Sequence, residues 1–179
     1  MNRILPAAAL LLFLPLMIFS QTFTPAQAGS TGISLMVPED WRTDERIEED
    51  GTRFFMVTTA EGNTGAGVLL AVAPLETLGA GSSSGVMDFY AELLRSEVET
   101  WDYQAGEYEK TELAGFPACC AEASVAEEAS RIRMYSFVRK RWGYFIMEMY
   151  TGPESLSLYG SLVEKITGSM EIANPGPGK

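Results

Sequence analysis

The chain has 179 residues, of which 46% are hydrophobic, with 13 Lys and Arg, 24 Asp and Glu and no histidine. The absence of histidine excludes Ser-His-Asp and Cys-His catalysis and the His-containing zinc and haem sites, and two cysteines cannot make a Cys₄ site. The formal net charge of -11 argues against nucleic acid or an anionic lipid surface as a partner, because like charges repel. No cofactor is predicted.

The first residues have the three parts of a secretory signal peptide. Arg3 precedes an apolar run at positions 5–19, and a polar stretch then ends in Ala26-Gln27-Ala28, a small-x-small cleavage site. The run is short for a bilayer span and is followed by no cysteine that could carry a lipid, so an anchor is the weaker interpretation. We therefore predict a periplasmic or secreted protein with three parts: a signal peptide at 1–28, a single domain at 29–172 and a disordered tail at 173–179.

The first half of this domain has the pattern of strands followed by a helix. Strands are predicted at 32–37, 52–59 and 67–73, and the third is apolar at nearly every position, as is typical of a strand covered on both faces. Asp50-Gly51, at the end of an acidic segment, is a hairpin signal. A helix capped by Ser84 or a neighbouring serine runs to about Trp101. Its apolar stripe comprises Val86, Phe89, Tyr90, Leu93, Leu94, Val98 and Trp101.

The second half has the pattern of four strands and a closing helix. A polar edge strand is predicted at 107–113, a further strand at 118–124, and a long hairpin from 131 to 150. Both hairpin strands carry apolar residues at odd and even positions, which indicates a sheet with helices on both faces. The last helix has Pro153 in its first turn and ends at Gly168, with Leu158 or Tyr159, Leu162, Val163 and Ile166 as its apolar stripe. The predicted fold class is α+β, an antiparallel sheet with helices packed on both faces.

This order of elements resembles the PsbP-like superfamily, which includes the DcrB-like bacterial periplasmic proteins. The resemblance is carried by residues 34–41 with their proline-tryptophan turn, 113–118, 143–146, and the final helix ending near Ser169-Met170. It implies an αβα sandwich around an antiparallel sheet. It also implies an accessory or protein-binding role, and it supplies no shared catalytic residue.

Five cations stand together on this acidic chain: Arg131, Arg133, Arg139, Lys140 and Arg141. The first three share strand parity, so they can line one face as an anion- or carboxylate-binding patch for a partner. The alternative is a solvated hairpin whose charges guard against edge-to-edge pairing.

Two adjacent cysteines, Cys119 and Cys120, are candidates for redox chemistry. In a strand they point to opposite faces, and in an oxidising compartment thiols tend to pair. The alternatives are buried free thiols, a strained vicinal disulfide and an intermolecular bridge.

Two groups of acids are weaker candidates. Oxygen ligands for calcium or magnesium are available in Glu45, Glu48, Glu49 and Asp50, although their spacing fits no calcium loop. A second acidic group lies near a predicted strand bend and comprises Glu122, Glu127 and Glu128. No opposing carboxylate is evident there, so a glycosidase pair is not indicated.

Three functional hypotheses follow from these observations. The leading one is an exported, non-catalytic binding or accessory protein whose partner is another envelope or secreted protein. The second is an immunity or inhibitor protein whose acidic surface neutralises a basic secreted enzyme. The third is a carboxylate-dependent hydrolase, which requires two acids that converge in a pocket.

Overall fold

The computed structural model describes residues 21–28, 31–59, 65–97, 107–125 and 130–173. Within these ranges the elements are, in chain order, β1 (Phe23–Gln27), β2 (Ile33–Pro38), β3 (Arg42–Ile47), β4 (Arg53–Thr58), β5 (Gly65–Pro74), α1 (Leu75–Leu78), α2 (Ser83–Glu97), β6 (Glu109–Leu113), β7 (Phe116–Val125), β8 (Ser130–Arg139), β9 (Trp142–Thr151), α3 (Ser155–Gly168) and β10 (Glu171–Ile172).

Seven strands form one antiparallel sheet in the order β3-β4-β5-β9-β8-β7-β6. The other three form a small sheet in the order β1-β2-β10. On one face of the large sheet α2 packs against β7, β8 and β9, and on the other face α3 packs against β5, β9 and β2. The predicted antiparallel α+β sandwich is thereby confirmed.

The sheet is covered on both faces, and β9 shows why its sequence is almost continuously apolar. Phe145 and Met147 are buried in the cluster beneath α2, whereas Tyr144 and Ile146 are buried in the cluster beneath α3 and the small sheet. Since neighbouring strand residues point to opposite faces, a central strand between two helical layers needs apolar side chains at both parities.

Both edges of the large sheet are polar strands. β6 was predicted as an edge strand, but β3 was not predicted as a strand, because its sequence RTDERI has no apolar alternation and every residue in it is exposed. Charged edge strands resist pairing with a second molecule. In the β3–β4 turn the Asp50 carboxylate accepts hydrogen bonds from the backbone N–H of Thr52 (2.8 Å) and from its hydroxyl (3.0 Å).

The helices differ from the predictions in detail. Ser82 caps α2, since its hydroxyl accepts the N–H of Gly85 at 3.2 Å. The fully buried residues of α2 are Val86, Met87, Tyr90 and Ala91. The buried face of the helix is therefore rotated by about one residue from the predicted apolar stripe, and Phe89 is exposed. The predicted stripe residues Val98 and Trp101 lie outside the described residues.

Helix α3 begins at Ser155, so Pro153 lies in the preceding turn and not in the first helical turn. Tyr159 packs inward, edge-to-face on Trp41 at 6.0 Å between ring centroids, whereas Leu158 is exposed. Along the described part of the chain, none of the helices combines the length and the apolar character that crossing a bilayer requires.

Strand β1 lies before residue 29, the predicted start of the domain. β1 pairs in register with β2, from Phe23 opposite Pro38 to Gln27 opposite Ser34, and Ala28 is completely buried. A cut after Ala28 would remove this strand. Of the predicted C-terminal tail, residues 174–179 lie outside the described residues.

Replacing Gly143 by Ala is expected to lower the free energy of unfolding by about 1–3 kcal/mol, because it overpacks the contact between β9 and the helices. A Cβ at Gly143 would lie 2.6 Å from Cδ1 of Leu78 and 2.9 Å from Cγ2 of Val86, both buried side chains. Gly81→Ala is the matched control, since no atom lies within 4 Å of its Cβ position. Urea unfolding measures both variants, and equal midpoints would contradict the expected overpacking.

Candidate functional site

A row of charged side chains crosses three neighbouring strands on the α3 side of the sheet. The register places Glu122 of β7 opposite Arg133 of β8, and Arg133 opposite Glu148 of β9. These residues are 11 and 15 positions apart in sequence, so only the sheet pairing brings them together.

Arg133 connects the two carboxylates. Its Nε donates to Oε1 of Glu122 at 2.8 Å, and its Nη2 lies 2.7 Å from the same oxygen. Its Nη1 lies 3.9 Å from Oε2 of Glu148. Arg131 donates from Nη2 to Oε2 of Glu122 at 3.0 Å. We call Glu122, Arg131, Arg133, Tyr135 and Glu148 the Arg133 cluster.

The members of the Arg133 cluster differ sharply in exposure. The side chains of Glu122, Arg131 and Arg133 are 44%, 49% and 35% exposed, whereas that of Glu148 is 2% exposed. The cluster therefore has an open end at Glu122 and Arg131 and a buried end at Glu148.

Glu148 is the only buried acid among the described residues. Its Oε1 accepts the hydroxyl of Thr167 of α3 at 2.9 Å, and its Oε2 accepts that of Tyr150 at 3.5 Å. Burial raises the pKa of this carboxyl, against the lowering effects of the Thr167 hydrogen bond and of Arg133. By contrast, the hydrogen bond from Arg133 holds the pKa of Glu122 below its ordinary value.

The phenol of Tyr135 and the thiol of Cys120, on the same face, stay protonated at neutral pH. Burial, helped by the charge of Glu148, raises the pKa of Tyr135 to about 12. Burial also raises the pKa of Cys120 to about 11, although Arg133 opposes the shift. A thiol with a raised pKa is a poor nucleophile.

The two cysteines are free thiols on opposite faces of β7. Cys119 is buried beneath α2, where burial raises its pKa, and Cys120 is half-buried next to the Arg133 cluster. The described geometry holds neither a vicinal disulfide nor an activated thiolate. An intermolecular bridge through a cysteine stays a prediction.

The predicted basic patch is split into two groups. Arg131 and Arg133 lie at one end of β8, and Arg139 lies at the other end, about 26 Å from Arg131 at 3.3 Å per strand residue. Arg139 binds the C-terminal segment, donating from Nη1 to the carbonyls of Ile172 (2.6 Å) and Ala173 (3.3 Å). Its guanidinium also lies 5.0 Å from the centroid of the Phe116 ring.

Lys140 and Arg141 form the β8–β9 turn next to Arg139. Lys140 has a φ of 56°, and the carbonyl of Arg141 accepts the N–H of Leu75 at 2.9 Å. Arg139 therefore binds the backbone of the segment that follows α3. The described geometry does not join the five predicted cations into one patch.

The acidic candidates do not form a metal site in the part of the chain that the structure describes. No three Asp, Glu or Cys side chains converge there closely enough to hold an ion. Glu48 pairs with Arg46 at 2.6 Å, and the Asp50 carboxylate is used by Thr52. Glu127 and Glu128 lie outside the described residues.

The geometry of the Arg133 cluster is that of an ion-pair network. A general acid and a general base need two carboxyl groups that flank a space for substrate, but here the Arg133 guanidinium lies between Glu122 and Glu148. Glu148 was not singled out from the sequence. The available signal was a single acid within the apolar run of β9, YFIMEMY.

No family model matches the sequence, and no curated protein is significantly similar to it in sequence. Solved structures are similar in fold. The cyanobacterial PsbP, CyanoP, from Synechocystis sp. PCC 6803 aligns with a TM-score of 0.60 over 86% of this chain and 94% of that chain, at 12% identity. The Saccharomyces cerevisiae Ran-binding protein Mog1p aligns with a TM-score of 0.56 over 86% and 96%, at 8% identity. The chain thus has the PsbP-like fold that its resemblance implied.

Proposed function

We propose that this chain is an exported, non-catalytic binding protein that recognises another envelope or secreted protein through the open end of the Arg133 cluster. The observation that carries the proposal is a pair of half-exposed arginines held in fixed positions by one carboxylate. Arginines that are oriented in advance lose little conformational freedom when they bind a partner carboxylate, and arginine is enriched at the energetically dominant positions of protein interfaces.

The surroundings of the cluster support this proposal. Helix α3 packs on β5, β9 and β2, and the side chains of Glu109, Glu122 and Arg131 on the same side of the outer strands are exposed. These side chains, together with half-buried Cys120 and Tyr135, make a surface of mixed charge beside the helix. Such a surface favours a partner that presents both carboxylates and cations.

The non-catalytic part of the proposal rests on the chemistry of the described groups. Glu148 is buried, Glu122 is bound by two arginines, and the thiol of Cys120 is protonated at neutral pH. None of these groups combines access to a substrate with a pKa suited to proton transfer. A Ran-binding protein, Mog1p, has the same fold, which is compatible with a protein-binding role.

A photo-crosslinking amino acid placed on each side of β6 tests which surface the partner contacts. Glu109 and Lys110 are adjacent and exposed, but Glu109 lies opposite Cys120 on the cluster side and Lys110 lies opposite Cys119 on the α2 side. We expect p-benzoylphenylalanine at position 109 to crosslink an envelope or secreted protein in living cells, and the same group at 110 to give no such product.

Arg131→Ala added to the position-109 variant should abolish its crosslink, whereas Arg141→Ala, an exposed arginine in the distant turn, should leave it unchanged. Equal products from positions 109 and 110, or a product that survives Arg131→Ala, would contradict the proposed surface. The immunity hypothesis stays a second prediction. It requires the identified partner to be a secreted enzyme whose activity falls when this protein is added.

A further inference from the structure

Strand β3 forms the end of the large sheet opposite β6, and its outer side is open. No other strand among the described residues pairs with that side, and every residue of β3 is exposed. Helix α2 packs on β7, β8 and β9, and α3 packs on β5, β9 and β2. The two helical layers therefore lie mainly over the inner strands, and a further strand has room to pair beside β3.

The backbone groups on this outer side belong to Thr43, Glu45 and Ile47. In an antiparallel pair, every second residue forms hydrogen bonds with the neighbouring strand. The N–H of Glu48 donates to the carbonyl of Thr52 at 2.8 Å, and the β3–β4 register is unbroken along the whole of β3. The even-numbered residues of β3 therefore bond to β4, and the odd-numbered residues direct their N–H and C=O groups outwards.

The charges of β3 are complementary to those of a second copy of the same strand. Two β3 strands can pair antiparallel around a two-fold axis at Glu45. Arg42 then lies opposite Glu48 of the second copy, and in the same way Asp44 lies opposite Arg46. Because the axis repeats both pairs, four pairs of opposite charge line one face of the joined strands. This register also pairs odd-numbered residues with odd-numbered residues, as their outward hydrogen-bonding groups require.

The same charges oppose the neighbouring registers. An axis at Asp44 would place Asp44 opposite itself and Arg42 opposite Arg46. An axis at Arg46 would place Arg46 opposite itself and Asp44 opposite Glu48. Like charges directly opposite each other are destabilising, so the charged edge resists pairing in these two registers. With the axis at Glu45, one pair of like charges, Glu45 with itself, is set against four pairs of opposite charge.

The ion pair that Arg46 forms within its own strand does not prevent this exchange. Its Nε lies 2.6 Å from Oε1 of Glu48, but the two side chains are 69% and 42% exposed. An ion pair so exposed to water contributes little to stability. It can therefore be replaced by pairs across the interface.

We propose that two copies of this chain associate through β3, in the register centred on Glu45, and join their large sheets into one continuous sheet. The outward backbone groups of the two strands form the hydrogen bonds, and the ion pairs select the register. The interface is small, so the dimer is weak and reversible. The Arg133 cluster lies on the inner and opposite strands and stays exposed, so the dimer presents two copies of the proposed protein-binding surface.

Disulfide crosslinking in cells that produce the full chain tests this pairing. A cysteine at position 45 would face its own copy at a Cα distance of about 5.5 Å, which a disulfide can span. We expect Glu45→Cys, combined with Cys120→Ser to remove the half-buried native thiol, to give a covalent dimer on non-reducing gels after brief oxidation with diamide. Glu112→Cys with Cys120→Ser is the matched control, because Glu112 is exposed on the opposite edge strand, and it should stay monomeric.

Charge changes added to Glu45→Cys test the register. Arg46→Glu places two acids opposite each other and should lower the dimer fraction by about fivefold or more. The exchange Asp44→Arg with Arg46→Asp places opposite charges across the interface again, and it should restore the dimer. The Arg46 guanidinium lies 5.2 Å from the centroid of the Phe54 ring. Because the exchange loses this contact as well, a restored dimer cannot be attributed to it.

Three results would each overturn the proposal: no dimer of Glu45→Cys, as much dimer from Glu112→Cys, or a dimer fraction that Arg46→Glu does not lower. A dimer that the exchange of charges fails to restore would rule out the proposed register. Equal amounts of each variant on reducing gels exclude a loss of folded protein as the cause. Arg131→Ala should leave this dimer unchanged, so this proposal and the proposed function can fail separately.

Discussion

A chain that begins at Gly29 is expected to be less stable than one that begins at Gln21 by about 3 kcal/mol or more. The shorter chain lacks β1 and the completely buried Ala28, so it loses the five-residue pairing with β2. Each net backbone hydrogen bond contributes about 0.5–1.5 kcal/mol, and the loss also exposes apolar surface of β2. Urea unfolding of the two chains, both produced without the first 20 residues, measures the difference.

The same strand limits how far the N-terminus can be shortened without loss of structure. Within the described residues, contacts with the rest of the domain are made from Gln21 onward, whose amide donates to the Asp40 carboxylate at 2.6 Å. We expect the intact mass of the protein purified from its native cells to show that residues 23–27 are retained. A mass that begins at Gly29, or equal urea midpoints for the two chains, would contradict the role assigned to β1.

Replacing Glu148 by Gln is expected to change how stability depends on pH. Burial raises the folded-state pKa of Glu148, so between its ordinary pKa and the raised value the folded protein binds a proton that the unfolded chain does not. Stability from this group is therefore present at low pH and is lost as pH rises through that window. Glutamine cannot ionise, and its amide oxygen can still accept the hydrogen bond from Thr167.

The stability difference between Glu148→Gln and the wild type should consequently shift in favour of the variant as pH rises above about 4.3. The shift is at most about 1.4 kcal/mol for each pH unit, up to the folded-state pKa. Urea unfolding at intervals between pH 4 and 8 measures it. A difference that stays constant over this range would show that Glu148 titrates in the folded protein as it does in the unfolded chain.

Arg133→Met tests how much the ion pair with Arg133 contributes to stability, apart from the effect of burying Glu148. Removal of the cation should cost about 1–3 kcal/mol at pH 7, less than for a fully buried pair, because Arg133 is 35% exposed and lies 3.9 Å from Glu148. In the Glu148→Gln background the cost should be smaller, since no buried charge then lacks its partner. If Arg133→Met lowers the free energy of unfolding equally with Glu or Gln at position 148, Arg133 stabilises the protein through Glu122 alone.

The fold was largely predictable because apolar patterning is a local property of the sequence. β5 and β9 are apolar at both parities since both their faces are covered, and this pattern predicted the layered sheet. β3 carries no such pattern, because an edge strand exposed along its whole length is held by backbone hydrogen bonds to β4. β1 lies within the predicted signal peptide at 1–28, and its pairing with β2 could not be predicted because its sequence, FTPAQ, has no apolar alternation.

The candidate site was much less predictable. The arginines are grouped together in the sequence. Strand parity could not show that Arg139 donates to the carbonyls of Ile172 and Ala173, or that Arg133 lies between Glu122 and Glu148. The partners of Arg133 lie on two other strands, and their distance in sequence carries no information about register. Glu148 and the unpaired hydroxyl of Tyr90 become evident only when their surroundings are known, because burial is a property of the packed layers.

The sequence by itself determined the class of the molecule: an acidic α+β domain without histidine chemistry, with a two-faced antiparallel sheet and a cationic hairpin. These features depend on composition and on the period of apolar residues, which are present in the chain before it folds. Only the tertiary structure decided which charges meet, which strand β1 pairs with and which polar groups are buried. Those outcomes depend on strand register and on where the two helices cover the sheet, and both are set by contacts between residues distant in the chain.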